Sequence, residues 1–476
     1  MKRYAVMLLA FSLAAWAQIQ IKPIGPKPAV QPLVKPQLSQ KAPFQKVDLN
    51  KPQTVILRSI IPNTGQGELM SMLKDGSTLY IGGEHGLRIV DVSDPKNPQQ
   101  IHFSILPHFT KCKKIAKLGE NKLLLWREGD KTDFAYKGIR YPGQGSEVFT
   151  VLDVSDKKKP LVTVQKDYYL FDEETTCNKD RLEYYNHKEI SEKHYKTYLM
   201  PPEELGRKIG RTVLNDGFFG YRRTLAVKGD DIYLCGTFGV ARFQHTYENL
   251  KGEGGSIATD AIKFKRFVTF YQLLDRYDDN EYYKKYHCRW HDNFGYSRSY
   301  MTVGNRHVIT TYIIFNRDLN PVQNWKRSCD TYTCMMGVSM DEGELTYLFE
   351  IKRDNKFRLV TYKMNRYGAL TQIKSYEPEL FRKYRDRLSY YKYENEGLLL
   401  KRVGDYLFLT LDIDETDSGK NLKIEMIHIE PDKSLKSVRM LHIGPHKVVD
   451  VDYEEPYLYV LSPDAVRIYE LKPKND

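Results

Sequence analysis

Two histidines four residues apart are the side chains whose type and spacing come closest to a metal site in this chain. They are His287 and His291, and on a helix they would present two imidazole nitrogens to one ion. The sequence offers no third ligand beside them, and Cys288 between them is a candidate for a disulfide. An exposed histidine pair within an insertion is the more common arrangement. We therefore assign no metal ligand.

Carboxylates are dense in segment 412–419, where a calcium-binding loop is the chemistry to consider. Asp417 occupies the position at which such a loop needs glycine, and no glutamate falls at its twelfth position. The segment therefore predicts an acidic hairpin turn. Segment 339–347 resembles the Asp-box turn of sialidase-type propellers with one extra residue. Because that turn is structural, the resemblance implies a β-hairpin and not glycosidase chemistry.

Local motifs of catalysis are missing from the 476 residues. The chain has no Gly-x-Ser-x-Gly elbow, no phosphate-binding Gly-Lys-Ser/Thr loop and no Gly-x-Gly-x-x-Gly fingerprint. We therefore assign no catalytic residue and no cofactor, and we expect a non-catalytic protein. The alternative is a propeller-type hydrolase or a metal-dependent enzyme whose site residues are distant in sequence.

The elements that must position any site are predicted to be β-strands. From Val55 onward, apolar and polar residues alternate in short runs separated by Gly, Asp, Asn and Pro. The one short helix predicted is at 201–214, after two prolines. A four-strand unit recurs, and its approximate copies are at 70–105, 112–168, 222–273, 297–330, 335–378, 396–443 and 446–473.

These copies predict an all-β fold, a β-propeller over residues 54–473. The last copy lacks one strand, which the apolar segment 55–61 can supply from the N-terminus. We expect seven blades closed by this N-terminal strand. Six blades is the alternative, because the copy at 297–330 lacks two clear strands.

Segments 86–98 and 148–160 resemble the LVIVD repeat, found in exported bacterial and archaeal proteins thought to be propellers. The resemblance implies the fold and supplies no catalytic residues. In each segment one aspartate should end a strand and bind turn amides, a second should continue the turn, and a proline should precede the next strand. These residues are Asp91, Asp94 and Pro98 in the first segment and Asp153, Asp156 and Pro160 in the second.

The N-terminus predicts export. Residues 1–17 have a positive start, an apolar centre and an Ala-Trp-Ala cleavage site, as in a signal peptide. Residues 18–53 are rich in proline and predict an extended tether. We expect a periplasmic, cell-surface or secreted protein. No later segment is long and apolar enough to predict a transmembrane helix.

The charge balance indicates which partners to expect. Lys and Arg number 73 against 61 Asp and Glu, a formal net charge of +12, which favours acidic partners. We expect an envelope protein or an anionic glycan. Nucleic acid is not expected, because basic and acidic residues are interleaved and the predicted destination is away from the genome.

Long insertions are predicted near 128–146, 169–221, 274–296 and 379–395, with another at 316–331. They fall between second and third strands or between blades, and in a propeller both kinds of connection lie on one face. They are rich in tyrosine, which suits binding because an aromatic ring supplies contact area while its hydroxyl stays hydrated. The predicted binding residues are Tyr184, Tyr185, Tyr195, Tyr282, Tyr283, Tyr286, Tyr390 and Tyr391. We therefore expect an exported, non-catalytic binding or assembly module that recognises protein or glycan through this face.

Six cysteines in an exported chain predict disulfides. Cys329 and Cys334 flank four residues, so a hairpin could bring them within bonding distance, and we predict that they pair. The alternative is two buried free thiols, as a poorly oxidising envelope would leave them.

Overall fold

The computed structural model of the protein describes residues 53–473 apart from 106, 110, 130–133, 137–138, 142, 172–212, 216–222, 237–238, 253–254, 270–300, 311–312, 325–332, 341–344, 353–356, 385–398, 416–418 and 445–446. The predicted signal peptide and all but the last residue of the predicted tether lie outside this part of the chain. The described residues are almost entirely β-strand, which confirms the all-β prediction. Among them there is no helix long and apolar enough to cross a membrane.

Apart from one separate two-stranded hairpin, the described strands form seven sheets, which we number as blades 1 to 7 in chain order; each is antiparallel in its four main strands. The chain begins with β1 (Gln53–Pro62), which belongs to the last blade. Blade 1 contains β2 (Leu69–Asp75), β3 (Thr78–Gly83), β4 (Leu87–Asp91) and β5 (Gln99–Ser104). A short 3-10 helix (Pro107–Phe109) follows it. Blade 2 contains β6 (Cys112–Lys117), β7 (Lys122–Gly129), the small hairpin of β8 (Phe134–Tyr136) and β9 (Ile139–Tyr141), then β10 (Gly143–Asp153) and β11 (Leu161–Phe171), with β12 (Val213–Asn215) parallel to β11 at its outer edge.

The remaining blades follow the same order. Blade 3 contains β13 (Thr224–Lys228), β14 (Asp231–Cys235), β15 (Gly239–Gly252) and β16 (Gly255–Thr269). Blade 4 contains β17 (Met301–Val303), β18 (His307–Thr310), β19 (Ile313–Asn316) and β20 (Pro321–Asn324). Blade 5 contains β21 (Thr333–Met340), β22 (Leu345–Lys352), β23 (Phe357–Met364) and β24 (Leu370–Tyr376), and helix α1 (Glu379–Tyr384) follows it. Blade 6 contains β25 (Leu400–Val403), β26 (Tyr406–Glu415), β27 (Gly419–Ile429) and β28 (Leu435–Gly444), and blade 7 contains β29 (Asp450–Glu454), β30 (Tyr457–Leu461), β31 (Ala465–Pro473) and β1.

The blades form a closed ring around a central channel. The first strand of each blade contacts the first strands of the two neighbouring blades, in the cycle β2, β6, β13, β17, β21, β25, β29 and back to β2. First strands therefore line the channel, and fourth strands lie at the rim. Seven blades, and not six, make up the propeller.

The N-terminal strand closes the ring as predicted. β1 pairs antiparallel with β31 from Gln53 opposite Pro473 to Pro62 opposite Ala465. Ile61 packs into the apolar layer between blades 7 and 1, because alternate residues of a strand point to opposite faces of its sheet. The outer edge of β31 is thereby covered, so blade 7 joins the first and last parts of the folded chain.

Apolar layers between blades hold the ring together. Between blades 2 and 3, Phe149, Tyr168 and Phe243 lie within a buried cluster. The rings of Tyr168 and Phe243 have centroids 4.7 Å apart, and Phe149 lies 4.9 Å from Phe243. The Tyr168 hydroxyl donates to the carbonyl of Ile262 at 2.9 Å, so the buried phenol is also hydrogen-bonded.

The propeller has two unlike faces. We call the face with the second-to-third-strand and blade-to-blade connections the upper face, and the face with the other two kinds of turn the lower face. In three blades the first turn of the lower face uses a glycine at positive φ, namely Gly76, Gly229 and Gly404. This shared conformation is a structural mark of the repeat, since only glycine adopts it without strain.

The two LVIVD-like segments form the turns that were predicted. β4 ends at Asp91, whose carboxylate accepts from the Ser93 amide at 2.8 Å, and β10 ends at Asp153, which accepts from the Ser155 amide at 2.9 Å. Asp94 and Asp156 accept from the amides of Lys96 and Lys158, both at 3.0 Å. The strands β5 and β11 begin directly after Pro98 and Pro160. These turns also join blades, because Lys157 donates to the Thr78 hydroxyl of blade 1 at 2.6 Å.

Several predicted connections need correction. The segment 316–331 does not separate second and third strands: 316–321 is the turn between β19 and β20, closed by the Asn316 side chain, which accepts from the amides of Asp318 and Asn320. Residues 213 and 214, predicted to end a helix, belong to β12. The insertion at 379–395 lies between blades 5 and 6 as predicted, but it starts with helix α1, which was not predicted and in which Leu380 and Phe381 are buried. The hairpins predicted at 339–347 and 412–419 are confirmed, by the pairing of β21 with β22 and of β26 with β27.

Candidate functional site

All eight predicted binding tyrosines lie outside the described residues, as do His287, His291, Cys288 and Cys329. Cys334 lies in β21, but its side chain is not among those described. The predicted Cys329–Cys334 bond therefore stays a prediction. The described residues contain no group of three or more His, Cys, Asp or Glu side chains that could hold a metal ion.

The upper face carries strands that extend beyond the blades. In blade 2, β7 ends opposite Ser146, whereas β10 and β11 stay paired up to Gly143 and Phe171. The β8–β9 hairpin and β12 are added at the same end. In blade 6, β25 begins at Leu400 opposite Leu409, whereas β26 and β27 continue as a pair beyond this point to Glu415 and Gly419. Hydrogen-bonded strand extensions thus rise from blades 2 and 6 on the upper face.

Four charged side chains from three first strands lie close together near the starts of these strands, and we call them the channel cluster: Lys114 of blade 2, Lys401 of blade 6, and Asp450 and Asp452 of blade 7. Lys401 Nζ donates to Asp450 Oδ1 at 2.8 Å and lies 3.9 Å from Asp452 Oδ2. Lys114 Nζ lies 3.9 Å from Asp450 Oδ2. Blades 2 and 7 are separated by blade 1, so the Lys114–Asp450 pair links two blades that are not neighbours in the ring.

Burial and mutual attraction set the protonation of the cluster. Burial opposes the charge on Asp450, but Lys401 and Lys114 outweigh it and hold the pKa of this carboxyl below its usual value. Burial would lower the pKa of Lys401, and the two aspartates reverse the effect and raise it. Asp452 differs, because burial raises its pKa despite Lys401 nearby. Asp450 and Lys401 thus form the charged pair, and the side chain of Lys114 stays 39% exposed beside it.

The described residues near the two ends of the first strands differ in composition. Within three residues of the start of a first strand, cationic side chains outnumber carboxylates: the described ones are Lys111, Lys113, Lys114, Arg223, Lys401, Arg402 and Lys447 against Glu68, Asp450 and Asp452. At the turns from first to second strands the balance is reversed: the described ones are Asp75, Glu120, Asp230, Asp231, Asp405, Glu454 and Glu455 against Lys117, Lys122, Lys228 and Arg306. Among the described residues, cations are thus more frequent where first strands begin and carboxylates are more frequent in the turns that follow these strands.

A second charged cluster lies on the lower face. Lys122 Nζ donates to both oxygens of Asp260, at 2.6 and 2.5 Å, and His245 Nε2 lies 2.8 Å from Asp260 Oδ1. His245 Nδ1 lies 3.4 Å from Asp230 Oδ1. Both ring nitrogens face carboxylates, so no hydroxyl or thiol is placed for activation by this histidine. The cluster connects the base of the β15–β16 hairpin to blades 2 and 3. This hairpin continues beyond Asp231, the first residue of β14.

Sequence reasoning missed both clusters. Lys114 and Asp450 are 336 positions apart by their numbering, and strand alternation alone does not tell which side of a first strand faces the channel. The alternation Val449-Asp450-Val451-Asp452 was the available signal, since two acids on one side of an otherwise apolar strand suggest a polar lining.

No protein-family model matches this sequence, and no curated protein is significantly similar to it. Among solved structures, the computationally designed Ika8 protein is 8% identical, with 85% of this chain and 96% of that chain covered and a TM-score of 0.40. Hsv2 of Kluyveromyces lactis is 9% identical, with 86% and 98% covered and a TM-score of 0.38. A protein from Lactobacillus plantarum is 8% identical, with 78% and 84% covered and a TM-score of 0.39.

The strand pairing of the chain itself defines its class. The protein is a seven-bladed β-propeller, an architecture that in general provides a rigid scaffold for binding or assembly.

Proposed function

We propose that this protein is an exported, non-catalytic binding or assembly module of the bacterial envelope, and that it recognises a protein or glycan through its upper face. The observation that carries the proposal is the set of paired strands that extend beyond blades 2 and 6 on the upper face. Paired strands hold a binding surface in one shape, which reduces the entropy lost when a partner docks.

Export is part of this proposal. It is supported by the composition of residues 1–17, and the two LVIVD-like turns support membership of that exported repeat family. N-terminal sequencing of the protein recovered from the producing cell should start at Gln18. Recovery of a chain that starts at Met1, in the cytoplasm, would contradict export.

The upper-face proposal is tested by removing one upper-face insertion. Residues 175–208 are replaced with a Gly-Ser linker, which leaves the paired ends of β11 and β12 intact. The matched control shortens the β15–β16 hairpin on the lower face by removing 248–259. Partners bound by the immobilised wild-type protein are identified by mass spectrometry and then measured on both variants.

Loss of the same partner from the first variant and its retention by the control supports binding through the upper face. Retention by the first variant and loss from the control would place the partner on the lower face instead. Turnover of ester or glycoside probes by the purified protein would contradict the non-catalytic assignment and favour the enzyme alternative.

A further inference from the structure

We infer that the outer edge of β1 is a self-association surface, at which a second copy of this chain adds its own β1 in antiparallel orientation. β1 is the outermost strand of blade 7, since the sheet order is β1-β31-β30-β29. Its inner edge is paired with β31, and no described strand lies beside its outer edge. The inference goes beyond the proposed binding through the upper face and does not depend on it.

The first half of β1 has backbone hydrogen-bonding groups that point outward. The Leu471 amide of β31 donates to the carbonyl of Pro456 at 2.8 Å, on the side of β30. Val55 lies opposite Leu471, so these two residues exchange no hydrogen bond, and the N–H and C=O of Val55 point away from β31. The register from Gln53 to Leu57 has no bulge, so alternation gives both of these residues the same orientation as Val55. This edge can therefore pair with a further strand.

The side chains along this edge are apolar and exposed. Val55 is 38% exposed and Leu57 is 46% exposed, and both lie on the same face of the strand. Ile60 is 49% exposed and lies beyond the bulge between Leu57 and Ser59. Three large exposed apolar side chains are thus gathered on one edge strand, an arrangement that favours association with another strand.

Several other rim strands are protected against such pairing. Exposed lysines are present in β16, β24 and β28, namely Lys265, Lys374 and Lys436. A lysine on an edge strand opposes pairing, because its charge would have to be desolvated against the added strand. The one charged residue of β1 is Arg58, which binds Glu470 with Nε and Oε2 2.5 Å apart. The described residues of β1 therefore present no unpaired charge at its outer edge.

The chain that precedes β1 is poorly suited to cover this edge itself. Residues 18–52 contain seven prolines, and proline has no N–H to donate to a neighbouring strand. Pro52 directly precedes β1, and its fixed φ together with its restriction of Lys51 disfavours a tight turn back onto β1. A second copy instead supplies a strand of matching length that is free of proline over residues 53–61.

A two-fold axis at Val55 gives a self-complementary pairing. It places Val55 opposite Val55 of the second copy and Gln53 opposite Leu57 of that copy, all within the bulge-free part of β1. The apolar side chains of both copies then lie on the same face of the joined sheet. Because the two strands are antiparallel, the upper faces of the two propellers point in opposite directions. Pairing over so few residues is small beside a standard interface, so we expect a dissociation constant on the order of 10–100 µM.

Sedimentation velocity of the purified protein at increasing concentration measures this association. Val55→Lys adds a charge at the edge, and Val55→Pro removes the outward N–H without removing a hydrogen bond to β31. The matched control is Ile373→Lys in the rim strand β24, since Ile373 is 37% exposed and Val55 is 38% exposed. We expect both Val55 variants to dimerise at least about tenfold more weakly than wild type, and Ile373→Lys to stay within about twofold of it. The melting temperatures of the monomers should remain close to that of wild type, because the changed side chain is exposed.

A wild-type protein that stays monomeric well above the expected dissociation constant would overturn the inference. Equal weakening by Ile373→Lys would also overturn it, because the association would then not be specific to β1. If a variant that begins at Pro52 dimerises and the longer protein does not, residues 18–51 cover the edge and the second copy is not its occupant. None of these substitutions touches the upper face. Loss of self-association with unchanged capture of the upper-face partner would therefore leave the proposed function standing, and the reverse result would refute that function alone.

Discussion

Replacing Lys401 with methionine would leave Asp450 buried beside a single distant cation. The Asp450 side chain is 8% exposed and loses its 2.8 Å donor, while Lys114 stays 3.9 Å away. Breaking a buried ion pair typically costs about 3–5 kcal/mol, because one charge is left uncompensated. Lys401 is partly exposed and Lys114 remains, so we expect the free energy of unfolding to fall by about 2–3 kcal/mol at pH 7.

The loss should depend on pH with a defined sign. In the wild type the folded pKa of Asp450 is depressed, so its contribution is present above the unfolded pKa of about 3.9 and is lost as pH falls through the folded pKa. In Lys401→Met burial prevails, the carboxyl becomes protonated in the folded state, and the penalty disappears toward acid. The difference in unfolding free energy between wild type and variant should be roughly halved at pH 4 relative to pH 7.

Urea unfolding followed by tryptophan fluorescence at pH 4, 5.5 and 7 measures this difference. The double variant Lys401→Met/Asp450→Asn should recover at least half of the loss at pH 7, because the Asp450 charge that lost its partner is also removed. An equal loss at pH 4 and pH 7, or a double variant less stable than Lys401→Met alone, would refute the assignment of these two residues as a coupled charged pair.

Three further outcomes follow from the fold. A variant that begins at residue 63 lacks β1, so it should unfold at a lower temperature or aggregate, as measured by light scattering. Adding a peptide of residues 53–62 should restore its stability. An unchanged melting temperature would show that β1 does not close the ring. Cys112 and Cys235 are free and buried, and burial raises the pKa of Cys112 to about 11, so both thiols should resist alkylation until the protein is denatured. Non-reducing peptide mapping should find Cys329 bonded to Cys334. The Glu425 carboxylate accepts from the Tyr376 hydroxyl and from the amides of Glu379 and Leu380. Glu425→Ala should therefore lower the free energy of unfolding by about 2–3 kcal/mol, and Glu425→Gln should lower it by less. Urea midpoints equal to that of the wild type would contradict this role.

The ring was predictable because its signals are local. A blade needs only alternating strands with short turns between them, and both are written in contiguous residues. The aspartates of the LVIVD-like turns bind amides two residues away, so their role could also be read from sequence. The closing strand was predicted by counting strands. The last blade had only three strands in the sequence, and the apolar strand at 55–61 belonged to no other blade.

Long-range polar contacts were not predictable in this way. Glu425 caps α1 from a strand more than forty residues later, and that helix has only six residues, too few for a clear helical period. Blade 4 was hard to recognise because its strands have three or four residues each. Its fourth strand starts with Pro321, a residue tolerated at the outer edge of a sheet, where a missing N–H costs little.

Binding through the upper face is the central claim, and photo-crosslinking in the producing cell tests it most directly. A benzoyl-phenylalanine is placed either at His85, exposed in the second-to-third-strand connection of blade 1, or at Glu120, exposed in the first lower turn of blade 2. We predict a covalent adduct with a defined partner from position 85 and none from position 120. An adduct from position 120 alone would place the binding surface on the opposite face and contradict the account.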